Sequence, residues 1–129
     1  MLPVTRHPSL FQMKSHKDLD VWTKSIDLVT EIYRVTNEFP KEEIYGITNQ
    51  MRRAAVSIPS NISEGAARHH PKEFVRFLYM ALGSASELET QLIISEKLMF
   101  ISNIEGDKCQ EEINSIRKML IGLIKSIQV

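Results

Sequence analysis

The chain has 129 residues with 43% hydrophobic and 25% charged, enough for one domain with a real core. Its 16 Lys and Arg balance 16 Asp and Glu, which excludes the basic footprint of a nucleic-acid coat and the charge excess of an acidic tail. One cysteine, Cys109, excludes an intramolecular disulfide and fits a reducing, cytoplasmic setting, and no apolar run reaches the ~18 residues that span a bilayer.

Residues 1–17 lack periodicity and carry Pro3 and Pro8. Arg6, His7 and Pro8 break the apolar stretch that a secretory signal requires, so the segment reads as a flexible leader. Translation from Met13, just before the first patterned segment, is an alternative start. Residues 18–129 then form one bundle domain.

The first helix is expected from Asp18, a suitable N-cap, to about Glu38. Leu19, Trp22, Ile26, Val29 and Tyr33 recur at three- and four-residue steps and share one face. Val21, Leu28, Ile32 and Val35 make a second apolar row about 120° away. A small isolated bundle needs only one such stripe, so the second row points to an interface. Phe39-Pro40 ends the segment.

The second helix is expected from Lys41, with Glu42 and Glu43 at its positive end, to Gly65 and the His69-His70-Pro71 run. Ile44, Ile47, Met51, Ala54, Ala55, Ile58, Ile62 and Ala66 make its stripe. Pro59 predicts a kink, since the stripe continues in phase on both sides of it. Asn61 with Glu64 offers a capping box for a restart near Ser60 instead.

A third helix starts at Pro71 and runs to about Met99, with Phe74, Phe77, Leu78, Ala81, Leu82, Ala85, Leu88 and Leu92 inward. A fourth runs from about Gly106 to Ile127 on a heptad-like row from Cys109 to Leu123 and Ile124. Short connections make neighbours antiparallel. The expected fold is an all-α, up-down-up-down four-helix bundle, without a strand pattern or hairpin turn.

Gln50, Arg53, Ser57, Asn61, Glu64 and Arg68 form a polar ladder on the second helix. Ser84 and Glu87 on the third helix, with Arg76 and Gln91, lie off its core face in the same way. Amides and guanidinium groups suit directional hydrogen bonds better than a Lys- and Glu-rich face does. Gly83-Ser84-Ala85 offers room for the close approach of another backbone. A solvated face, an interface between helices or subunits, and an anion or nucleic-acid site all remain open.

The runs QMRRAAVSIPSNISEGAAR (Gln50–Arg68) and EFVRFLYMALGSASELETQL (Glu73–Leu92) resemble one family. The openings DLDVW (Asp18–Trp22) and FPKEEIYGIT (Phe39–Thr48) fit it too. This is the family of four-helix-bundle proteins named after the intervening sequences of bacterial 23S ribosomal RNA genes. The resemblance covers roughly residues 17–127. It implies an antiparallel bundle assembled as a homopentameric ring. Its name reflects gene location and establishes no ribosomal role. Arg52, Arg53, Ser57, Asn61, Glu64, Gly65, Arg68, Gly83, Ser84 and Glu87 match signature positions, none of them an established catalytic residue. A related branch serves diversity-generating retroelements as basic pentamers that bind nucleic acid and a reverse transcriptase. This chain is neutral instead. Residues 41–80 hold six Lys and Arg against four Asp and Glu, a surplus that supports only weak, salt-sensitive phosphate binding.

No enzymatic constellation stands out. His69 and His70 are adjacent and point about 100° apart, unlike metal ligands spaced one turn apart. No Glu-x-x-His pair suits a di-iron bundle. The expectation is a non-enzymatic, cofactor-free, cytoplasmic homo-oligomer, a pentamer by resemblance, acting as scaffold or adaptor for a protein or nucleic-acid partner. Its first two helices supply most of the interface. Arg53, Asn61, Glu64 and Glu87 form a network, within or between subunits, that Arg53→Ala weakens. The alternative is a module that binds structured RNA or DNA through Arg52, Arg68, Lys72 and Arg76.

Overall fold

The computed structural model describes His16 and residues 19–128. The leader, the alternative start at Met13 and the expected cap Asp18 lie outside the described residues. Four helices follow in order: α1 (Asp20–Thr36), α2 (Ile47–Ala67), α3 (Pro71–Lys97) and α4 (Asn103–Gln128). A single 3-10 turn, Lys41–Glu43, lies between α1 and α2. Each helix packs on its two neighbours and none on the helix across the diagonal, the up-down-up-down arrangement.

Each helix has a buried seam with steps of three and four. Val21, Ser25, Leu28, Ile32 and Val35 are buried on α1, and Thr48, Met51, Ala55, Ile58 and Ile62 on α2. The row from Phe74 through Leu78, Ala81, Ala85, Leu88 and Leu92 to Ser95 serves α3. On α4 the row is Gly106, Cys109, Ile113, Ile116, Leu120 and Leu123. A 3.5-residue period keeps such seams facing the bundle axis along their whole length.

The first correction concerns α1. The row expected at an interface, Val21 to Val35, is the core row, and Ile26 and Tyr33 from the other row are exposed. Trp22 and Val29 only pack against the core's edge. Both rows have the same period, so period could not choose between them. The core row is broken in the sequence by Ser25. Its hydroxyl donates to the Trp22 carbonyl at 2.7 Å, which lets a polar residue sit fully buried.

The start of α2 also differs. Gly46 breaks the chain before Ile47, leaving Lys41–Glu43 as a separate turn. Ile44, expected in the core stripe, is exposed. Glu43 serves the helix start through its side chain, whose Oε1 accepts from the Ile47 backbone N–H at 3.4 Å. The helix does not restart at Ser60 but runs through Pro59. The Asn61–Glu64 capping box is not formed. The Asn61 amide instead donates to the Ser57 carbonyl at 2.8 Å, beside the turn that proline weakens.

The close backbone approach is at Gly65 rather than Gly83. A Cβ on Gly65 would lie 2.7 Å from the Phe77 Cβ, whereas one on Gly83 meets nothing within 4 Å. Gly65 thus sets how near α2 and α3 come. The α3 C-terminus closes with Met99 left-handed at φ 62°, and Phe100 N–H donates to Ser95 O at 2.9 Å. This is the double-bonded helix end that usually takes glycine. It turns the chain sharply into α4, which begins at Asn103, earlier than expected.

Candidate functional site

The polar ladder lies along the outer edge of the α2–α3 contact, and the structure joins only its middle. Asn61 Nδ2 donates to Ser57 Oγ at 2.9 Å, and Ser84 Oγ donates to the same Ser57 oxygen at 2.9 Å. Small hydroxyls and one amide thus bridge α2 to α3. Arg53, Glu64 and Glu87 take no part in this triangle. Glu87 is exposed and accepts only from Gln91 Nε2, at 3.3 Å. Gln50 and Arg53 are exposed and make no side-chain hydrogen bond among the described residues. The expected Arg53–Asn61–Glu64–Glu87 network is therefore not made within one chain.

The four residues expected at nucleic acid divide between two places. Arg68, Lys72 and Arg76 cluster where α2 passes into α3. There Arg68 pairs with Glu64 at 3.6 Å and Arg76 with Glu73 at 3.1 Å. Both guanidinium groups also lie over the Phe77 ring, 5.1 and 4.6 Å from its centroid. The Arg76 hydrogen bond holds the Glu73 carboxyl below its ordinary range. Lys72 is exposed at the same end.

Arg52 is elsewhere. Its Nε donates to Thr36 Oγ1 at 3.0 Å, and its guanidinium stacks 4.6 Å from the Tyr33 centroid. It ties α1 to α2 and walls an open groove of about 610 Å³. Ile44, Tyr45 and Val56 give this groove apolar surface, and Arg53, Asn49 and Ser57 line it as well. Tyr45 is 93% exposed, the most exposed of the large apolar side chains among the described residues. The sequence reading missed this groove. A signal was present: neither Arg52 nor Arg53 has an Asp or Glu three or four residues away on its helix, whereas Arg34, Arg68 and Arg76 each do.

Residues 17–122 match the family described as 23S rRNA-intervening sequence protein. The chain belongs to that family. A solved structure from Bacteroides thetaiotaomicron VPI-5482, described as a protein with unknown function from the S23 ribosomal protein family, superposes with a TM-score of 0.73. It is 25% identical, and the alignment covers 81% of this chain and 98% of that one. No curated protein matches.

The chain carries a second polar cluster, on the α1–α4 seam. Arg34 bonds Glu31 on its own helix and Glu105 on α4, the latter at 3.1 Å. The Arg34 hydrogen bond holds the Glu31 carboxyl below its ordinary range. Glu112 is pushed the other way, first by burial and then by Glu31 and Asp27, with Lys24 and Lys108 opposing. Its Oε2 is buried without a partner. Cys109, one turn earlier on α4, is buried, and its thiol is pushed up to about 12 by burial and then by Glu31, Glu112 and Glu105. Such a thiol is inert at neutral pH.

Glu112 and Glu31 make opposite contributions to the pH dependence of stability. The stability from Glu31 is present above the ordinary glutamate range and lost as pH falls through its lowered value. Glu112 costs nothing while protonated in both states, and its cost appears as pH rises through the ordinary range toward its raised value. Glu112→Gln is therefore expected to raise the melting temperature at pH 7. The gain should vanish below about pH 4, where glutamate is protonated in both states. A gain that persists at low pH would show that lost charge is not its cause.

No metal-ligating group of three or more side chains occurs among the described residues. No described helix is long and apolar enough to cross a membrane.

Proposed function

We propose that this protein is a non-enzymatic, cytoplasmic homo-oligomer, a pentameric ring that acts as a scaffold or adaptor. The observation that carries the reading is apolar surface on two separate faces. Ile26 with half-buried Trp22 and Val29 forms one on α1, and Ile94 and Leu98 form the other at the C-terminal end of α3. Apolar patches of this kind mark association. Two different patches, rather than one that meets itself, suit the head-to-tail contact of a ring. The open space beside Gly83, on α3, suits the approach of another helix there. Family membership supports the count of five.

Light scattering on nucleic-acid-free protein tests this reading. The expected mass is about five times the 14.8 kDa chain. Ile26→Glu and Ile94→Glu should each reduce it while the helical circular dichroism stays intact. A monomer in the unmodified protein would overturn the proposal.

The alternative, a nucleic-acid-binding module, is carried less far. Two of its four cations, Arg68 and Arg76, already meet carboxylates, and Arg52 lies apart from them in the groove between α1 and α2. That reading requires binding of labelled RNA or DNA at low salt, with a steep loss as salt rises.

A further inference from the structure

Six arginines lie in the described residues, and four of them pair with carboxylates. Arg34 pairs with Glu31 and Glu105, Arg68 with Glu64, Arg76 with Glu73, and Arg117 with Glu89. The two without a carboxylate among the described residues are Arg52 and Arg53, and both line the groove between α1 and α2. No residue lining that groove is acidic. In a chain of zero net charge, unpaired guanidinium groups are concentrated in one concave place. Glu43, the nearest carboxylate in sequence, is occupied at the start of α2.

We propose that this groove is a docking site for a carboxylate-bearing, apolar peptide segment of a partner protein. Charge complementarity selects the occupant. Guanidinium groups bind carboxylates in a planar, two-pronged geometry, and two adjacent arginines suit a segment with closely spaced acidic residues. The walls select its apolar part. Ile44 and Val56 give aliphatic surface, and Tyr45 stands out as an aromatic anchor of the kind that dominates peptide recognition. Arg52 is already oriented, because Thr36 holds its Nε and Tyr33 its flat face, so little rotamer freedom remains to be lost on binding. A nucleic-acid strand is the poorer fit. It needs a track of cations along its backbone, and the other described arginines are neutralised. The inference rests on the adaptor part of the proposed function, naming the partner's chemistry, and holds with or without a ring.

Isothermal titration of the full chain with the capped peptide Glu-Glu-Leu-Phe-Glu-Glu tests it, beside Gln-Gln-Leu-Phe-Gln-Gln and a single-stranded RNA oligonucleotide. The expected result is binding of the acidic peptide, with at least about a tenfold loss for the Gln peptide. Arg53→Glu and Tyr45→Ala should each bring a similar loss, with helical content and melting temperature unchanged. Light scattering on the same samples separates this inference from the ring. A monomer that binds the peptide leaves the inference standing and overturns only the ring. Any of four results overturns the inference: no binding at millimolar peptide, equal binding by Arg53→Glu, tighter binding of the RNA at the same site, or dissociation of an oligomer by Arg53→Glu. The last would assign the groove to a second copy of the chain.

Discussion

Gly65→Ala should cost about 2 kcal/mol, a fall of roughly 8 °C in melting temperature for a domain of this size. The added methyl carbon would sit 2.7 Å from the Phe77 Cβ, 3.1 Å from Phe74 Cδ1 and 3.4 Å from the Phe74 carbonyl oxygen. Two of these atoms are fixed directly to the α3 backbone, so neither rotates away. Relief requires α2 and α3 to separate along their most extensive contact. Alanine's better helix propensity returns only about 1 kcal/mol. Gly83→Ala is the control. It gains the same propensity with nothing within 4 Å, so it should stabilise the monomeric fold. Thermal melts of the two variants therefore move in opposite directions. Equal shifts would remove Gly65 as the spacer between the helices.

The second large effect separates the two apolar rows of α1. Leu28→Ala should cost about 3 kcal/mol, because Leu28 is 0% exposed and its truncation leaves a cavity in the centre of the bundle. Ile26→Ala, at a residue 37% exposed, should change chain stability by under about 0.5 kcal/mol. If α1 lies at a subunit contact, the Ile26 variant should instead weaken assembly, seen as a lower mass on dilution. Denaturant midpoints measured at low protein concentration isolate the first effect. A large loss from Ile26→Ala under those conditions would return the core to the row of Trp22 and Tyr33.

The bundle itself was legible because the three- and four-step rows on α3 and α4 run unbroken along each helix. Pro71 at the first turn of α3 and the Phe39-Pro40 stop behaved as local chemistry dictates. On α1 two rows of equal period competed, and the core row includes Ser25, whose hydrogen bond to its own helix hydropathy does not register. Ile44 fell in phase with the α2 stripe, yet Gly46 ended that phase. The ladder was half legible. Its spacing put Ser57 and Asn61 on one edge, and in the structure Ser84 bonds Ser57 there. Spacing could not say which long side chains turn back to partners on their own helix. Glu64 and Arg68 did so, while Arg53 did not. The groove escaped because three of its walls, Tyr33, Ile44 and Tyr45, come from the end of α1 and the connecting turn, whose path across α2 no periodicity predicts.

The buried cysteine has a further consequence. With one thiol in the whole sequence, alkylation has a single address, and that address faces the α1–α4 seam. A reagent reaches the sulfur only in the instants when α4 lifts away. Labelling therefore keeps time for the breathing of that helix and counts its excursions at a known position. Compared with global unfolding, the count tells whether the last helix opens alone, like a door on the α3–α4 turn, or only when the whole bundle comes apart.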